Sequence, residues 1–130
     1  MGHTFTKLEK LTSKKTIESL FDLGTSFAIA PLRVIWLKKE LKTPYPAQVL
    51  IVVPKKNVAR AVDRNLIKRR LREAYRKNKE LLYDFLSKDG KQYALAIVFT
   101  GSAPVSYEEL EGKIILSLQR LVKENEEGFK

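Results

Sequence analysis

Residues 55–80 read Lys55-Lys56-Asn57-Val58-Ala59-Arg60-Ala61-Val62-Asp63-Arg64-Asn65-Leu66-Ile67-Lys68-Arg69-Arg70-Leu71-Arg72-Glu73-Ala74-Tyr75-Arg76-Lys77-Asn78-Lys79-Glu80. Eleven basic side chains stand here against three acidic ones, a local excess of eight in a chain whose whole excess is ten. At about 100° per residue, Ile67, Leu71, Ala74 and Tyr75 share one helical face, and Asn65, Lys68, Arg69, Arg72 and Arg76 form a stripe beside it. The apolar face must lie on something greasy, so the spacing predicts a helix from Asn57 to about Lys79 laid on a sheet, with its charges turned outward.

The flanking segments supply that sheet. Leu32–Leu37 is rich in branched and aromatic residues, with Pro31 before it, and Gln48–Val53 is a second apolar run stopped by Pro54. The intervening Lys38–Pro46 segment, with Pro44 and Pro46, reads as a hairpin loop, so the two strands are expected to pair antiparallel. Ser26–Ala28 suggests one more brief strand. Tyr93–Phe99 is an almost continuous apolar run, the pattern of a strand buried on both faces. Ser13 can cap a first helix carrying Ile17, Leu20 and Phe21 on one face, with Gly24 placed to end it. Ser106 and Glu109 make a capping box before Leu110, Ile114, Leu118 and Leu121. The expectation is an α+β class domain, an α/β sandwich of three helices on a single mixed four-stranded sheet. One domain spans residues 1–130, with residues 1–9 and 125–130 expected to be mobile.

Composition excludes several classes. Cysteine is absent, which removes disulfide scaffolds, thiol nucleophiles and thiolate metal sites and agrees with a reducing cytoplasm. Neither a signal peptide nor an apolar run long enough to span a membrane is visible, and a cytoplasmic location is expected. His3 is the only histidine, the aspartates show no paired spacing on a helical face, and no Gly-rich phosphate loop occurs. The polypeptide is therefore not expected to hold an active site or a metal of its own.

The basic stripe points instead to a polyanion. A merely solvated face mixes signs to gain i, i+4 pairs, whereas Arg64, Lys68 and Arg72 repeat like charges at that spacing, each pair costing a few tenths of a kcal/mol. Phosphates would offset the repulsion, and arginines offer them planar, forked contacts. Membrane binding is disfavoured because the apolar face is committed to the core and lacks Trp and Phe. A DNA-binding regulator would need a second helix in a turn motif or a dimer seam, and neither is visible. A structural protein of the ribosome would share the basic helix and remains the alternative on charge alone.

The run Lys55-Lys56-Asn57, then Ala61-Val62-Asp63-Arg64-Asn65-Leu66-Ile67-Lys68-Arg69, then Arg72-Glu73-Ala74-Tyr75-Arg76, resembles the signature of the bacterial ribonuclease P protein family. Leu11–Phe27 and Ser106-Tyr107-Glu108-Glu109-Leu110 resemble that family's first helix region and the start of its last helix. The resemblance implies a subunit that joins a catalytic RNA and assists Mg²⁺-dependent endonucleolytic removal of the 5′ leader from precursor tRNA, with Mg²⁺ held mainly by the RNA. It implies RNA contacts at Lys55, Lys56, Arg60, Arg64, Asn65, Lys68, Arg69, Arg72 and Arg76, a leader cleft lined by Ile17 and Phe21, and a left-handed strand-helix-strand crossover in a ribosomal-protein-like domain. Leu66 stands where the family commonly has arginine, and Arg70 where it is often apolar, so Arg70 is expected to carry the displaced charge. Phe99-Thr100-Gly101 lacks a basic residue that relatives often carry.

Overall fold

A computed structural model describes residues 5–127; His3 and the outermost residues of both expected mobile termini lie outside them. A 3₁₀ turn (Lys7–Glu9) precedes α1 (Lys14–Leu23), β1 (Thr25–Ile29), β2 (Leu32–Lys38) and β3 (Ala47–Val52). Then follow α2 (Ala61–Asn78), α3 (Glu80–Asp89), β4 (Tyr93–Phe99) and α4 (Tyr107–Glu127). The sheet order is β1-β2-β4-β3, with β4 antiparallel to β2 and parallel to β3. The mixed four-stranded sheet is as expected.

Two expectations need correction. β2 and β3 do not pair with each other, because β4 inserts between them, with Leu95 opposite Trp36 on one side and Val49 on the other. Six of the seven β4 residues are buried, and such a strand needs neighbours along both edges as well as cover on both faces. Among the described residues the α-helices number four: α3 follows α2 almost without interruption. Lys79, in helical geometry and with no side-chain cap, joins the two, and α3 ends at Gly90 with φ 69°. That is the left-handed geometry for which glycine is suited. Leu82 and Leu86, four apart, bury one face of α3.

The sheet has two unequal sides. Alternation along the strands sends Leu32, Val34, Val49, Leu95, Ile97 and Phe99 to one face, where α2, α3 and α4 complete the main core. Ile67, Leu71, Ala74 and Tyr75 of α2 are each fully buried there, as the helical phase requires. The other face carries a smaller cluster of Leu11, Leu20, Ile35, Ala94 and Ala96 beneath α1 alone. Ser13 caps α1 by accepting from the Thr16 amide at 3.3 Å. Gly24 ends it where a Cβ would stand 2.4 Å from the Leu20 carbonyl oxygen and 2.8 Å from Ile35, so only glycine lets α1 close down on β2.

Residues 5–11 of the amino-terminal segment are fastened to the body of the domain. Phe5 meets Tyr75 edge to face, Leu11 donates its amide to the Val49 carbonyl at 2.9 Å, and Glu9 is fully buried. Lys79, from the α2–α3 joint, forms an ion pair with Glu9, while the Tyr83 hydroxyl donates to Glu9 Oε2 at 2.6 Å and the Thr6 amide to Oε1 at 2.9 Å. Asn125, within the carboxyl-terminal stretch expected to be mobile, is likewise buried and donates to the Leu121 carbonyl.

Leu71→Ala should cost about 2–5 kcal/mol, by lost burial plus the cavity left behind, whereas Arg69→Ala should stay within about 0.5 kcal/mol. Urea unfolding midpoints measure both, and the opposite ranking would mean that α2 is rotated. For Glu9, burial works against the charged form, but Lys79, the Thr6 amide and Tyr83 together outweigh it and hold the carboxyl below its ordinary range. Its stabilisation is therefore full above the unfolded carboxylate range and fades as pH falls through the depressed folded value. Glu9→Gln should cost about 3–5 kcal/mol near neutrality, since it strands a buried Lys79. The stability gap between the parent and variant proteins should narrow on acidification.

Candidate nucleic-acid interface

Burying Ile67, Leu71, Ala74 and Tyr75 leaves α2 one way to face, and its stripe emerges on the side of Phe5, while Arg70, Lys77 and Asn78 turn toward α4 and the loop before it. Asn65, Arg69 and Arg72 are exposed and Lys68 half-buried. These four side chains make no hydrogen bond or ion pair with any described residue. Arg69 and Arg72 flank a shallow depression shared with Phe5, Glu73 and Arg76. Unpartnered guanidinium groups side by side on a rigid helix repel each other, and that repulsion is relieved when an anion is placed between them.

The loop leading into α2 carries the next cations. Arg64 Nη1 donates to the carbonyls of Val58 at 3.1 Å and Ala59 at 2.7 Å, Asn57 Nδ2 reaches the Phe99 carbonyl at 3.3 Å, and Val58 is buried. Lys55, Lys56 and Arg60 are exposed on this fastened loop, so they sit at a defined place by the start of the helix. Arg60 approaches Asp63 only at 4.0 Å with its side chain 78% exposed, a weak tie. The expected contact residues thus fall on one continuous surface, but with different duties. Arg64 is spent largely on the loop backbone. Arg76 grips Glu73 with two hydrogen bonds of 2.8 and 2.7 Å, and this guanidinium holds the Glu73 carboxyl below the usual carboxylate range.

The expectation for Arg70 is overturned. It is half-buried and donates to the Val105 carbonyl at 2.7 Å, tying α2 to the loop before α4. It does not replace an arginine at position 66, and Leu66 itself is half-buried. Asn57 and Arg70 hold the interface in shape, and neither role was visible in a linear pattern, because their partners are carbonyls 42 and 35 residues away.

The opposite face of the sheet carries half-buried apolar side chains around α1. α1 sits over β2 and β4, leaving Leu50 and Val52 of the outer strand β3 half-buried on the same side. Ile17 packs with Leu50 and Val98 around the smaller cluster, whereas Phe21 stays outside it and 47% exposed. Ala94 and Ala96 keep the floor low beneath α1. Trp36, Tyr93 and Tyr45 belong elsewhere. Tyr93 is fully buried, Trp36 donates to Glu124 Oε1 at 3.2 Å on the α4 side, and Tyr45 lies against Tyr83. Among the described residues, no three carboxylate or imidazole groups gather where they could hold a metal ion, and no helix is long and apolar enough to cross a membrane.

Known proteins resemble this chain in sequence and in fold. Residues 5–122 match the ribonuclease P family. The chain is 35% identical over 116 residues to the ribonuclease P protein component of Porphyromonas gingivalis, covering 88% of this chain and 84% of that protein. Its counterpart from Chlorobium phaeobacteroides is 36% identical over 103 residues, 73% of this chain and 70% of the relative. Among solved structures, the RNase P protein of Thermotoga maritima superposes with a TM-score of 0.68 at 23% identity, covering 86% of this chain and 96% of that one. The Staphylococcus aureus protein gives 0.68 at 17% identity, covering 88% and 95%; at such identities the likeness speaks for the fold. On the family match and the identity to these relatives, the chain belongs to the ribonuclease P protein family, as a protein subunit of an RNA-based endonuclease.

Proposed function

We propose that this chain docks on the catalytic RNA of ribonuclease P through the α2 stripe and its preceding loop, and holds the 5′ leader of precursor tRNA in the cleft between α1 and β3. The observation that carries this reading is the set of unpartnered groups at Asn65, Lys68, Arg69 and Arg72, displayed next to Lys55 and Lys56 on a fastened backbone. Each phosphate they neutralise releases counterions and adds affinity without regard to sequence. Ile17, Phe21, Leu50 and Val52 offer an apolar wall on which unpaired bases can lie, and a stacked base contributes roughly 1–3 kcal/mol. Among the described residues no helix-turn-helix supports DNA as the partner, and a cytoplasmic site of action fits a cysteine-free chain. A purely structural role in the ribosome is disfavoured by membership of the family.

Cleavage itself belongs to the RNA in this reading. Asp63 and Glu73 are the carboxylates nearest the stripe, and each faces an arginine, which suits them poorly to Mg²⁺. The metal is better matched to phosphate oxygens of the catalytic RNA, where it would stabilise charge developing during hydrolysis. The protein's contribution is to lower the repulsion between two polyanions and to set the leader's path.

Arg69→Ala or Arg72→Ala should weaken association with the catalytic RNA and flatten the log–log salt dependence by about 0.7–0.9 each, with melting temperature almost unchanged. Leu66→Arg should leave RNA affinity within a few-fold, and a gain above about tenfold would identify a missing phosphate contact. With the assembled holoenzyme, precursor tRNA should bind more tightly than mature tRNA. Equal affinity for the two would remove the leader cleft while leaving the α2 surface standing.

A further inference from the structure

A second basic surface appears only on folding. Lys7 and Lys10 from the amino-terminal segment, Lys15 from α1, and Lys39 and Lys42 from the β2–β3 loop line one groove of about 600 Å³, with Glu40 as its single acid. In the sequence these lysines are scattered over 36 positions and draw no attention. Lys7, Lys15, Lys39 and Lys42 make no side-chain hydrogen bond or ion pair with a described residue, and Lys10 has only the Phe5 ring beneath it.

The walls of the groove are fixed. Gln92 accepts from the Leu41 amide at 2.7 Å and donates to the carbonyls of Thr43 and Tyr45 at 2.7 and 2.9 Å, nailing the β2–β3 loop to the start of β4. Thr43 and Gln48 both donate to the Leu8 carbonyl, at 2.9 and 3.0 Å, which joins that loop and the start of β3 to the amino-terminal segment. Five like charges are therefore held together by structure, where flexible segments would let them separate. The groove also continues the cleft. Thr16 and Gln48 line the groove, while Ile17 and Leu50, one and two residues further on, pack on the smaller cluster where the leader cleft is proposed.

We propose that this groove takes phosphates of the leader segment lying beyond the α1–β3 cleft, on the side away from the start of α2. The inference rests on the leader-cleft reading above. Lysine, a rotatable point charge rather than a fork, suits a strand whose sequence and path vary. The α2 stripe, rich in arginine, suits one partner of fixed shape. Bases would then meet the apolar cleft, and only backbone would meet the lysines.

The test uses holoenzyme assembled with the triple variant Lys7→Gln, Lys15→Gln, Lys42→Gln, all three exposed positions, and precursor tRNAs with leaders graded from a couple of nucleotides to well past the groove. The parent protein should gain affinity as the leader lengthens into the groove. The variant should match it on the shortest leaders, bind the longest at least about fivefold more weakly, and show a salt slope lower by about two on those substrates only. Identical leader-length dependence for both proteins would overturn the proposal. So would weaker binding of the variant to the catalytic RNA with leader dependence intact, which would assign the groove to that RNA instead. Should the parent holoenzyme fail to tell precursor from mature tRNA, the cleft reading itself falls, and the groove proposal with it.

Discussion

The seating of α2 on the sheet is the constraint from which the rest of this molecule follows. Four fully buried side chains, Ile67, Leu71, Ala74 and Tyr75, set the rotation of the helix. Rotation in turn decides which charges meet solvent, because residues three and four apart must share a face. Turning α2 by a third of a revolution would bury guanidinium groups at a cost that this modest core could not bear. The positive surface is thus a by-product of apolar packing: the greasy side is placed, and the arginines go where they must.

Around that helix, the interface is stiffened by cations that do not themselves face outward. Arg64 binds the loop backbone, Arg70 the Val105 carbonyl, and Lys79 the buried Glu9. A count of positive charge along α2 therefore overstates what a nucleic acid would meet. These inward-directed groups do a different job: they keep the outward-directed ones from drifting, so less conformational entropy is lost when a partner is bound. Glu9 and Lys79 also connect the amino-terminal segment to the α2–α3 joint. The wall of the lysine groove and the far end of the basic helix are thereby parts of one rigid unit.

Periodic features were legible in the chain. The phase of α2, the caps of α1 and α4, and β4 as a strand covered on both faces were all read from spacing and punctuation. The β2–β3 pairing was misjudged because a proline-rich loop between two apolar runs looks like a hairpin locally. The correction was already implicit in β4, since a strand with no polar side belongs in the interior of a sheet. α3 escaped because Lys79 gives no capping signal and α2 runs almost directly into it; Gly90, with its positive φ, was the available cue. The residues proposed for the leader cleft, Ile17 and Phe21, came only by resemblance, and their neighbours Leu50 and Val52 depend on strand order. The lysine groove draws on separate segments, so no linear window could contain it.

The single tryptophan has a consequence of its own. Trp36 donates its indole N–H to Glu124 and lies near Tyr93, on the face of the sheet away from both the cleft and the groove. Its emission is therefore a built-in gauge of whether the last turns of α4 are docked. A change in that fluorescence when a leader strand occupies the α1 side would signal movement transmitted through the β-layer rather than a quencher touching the indole.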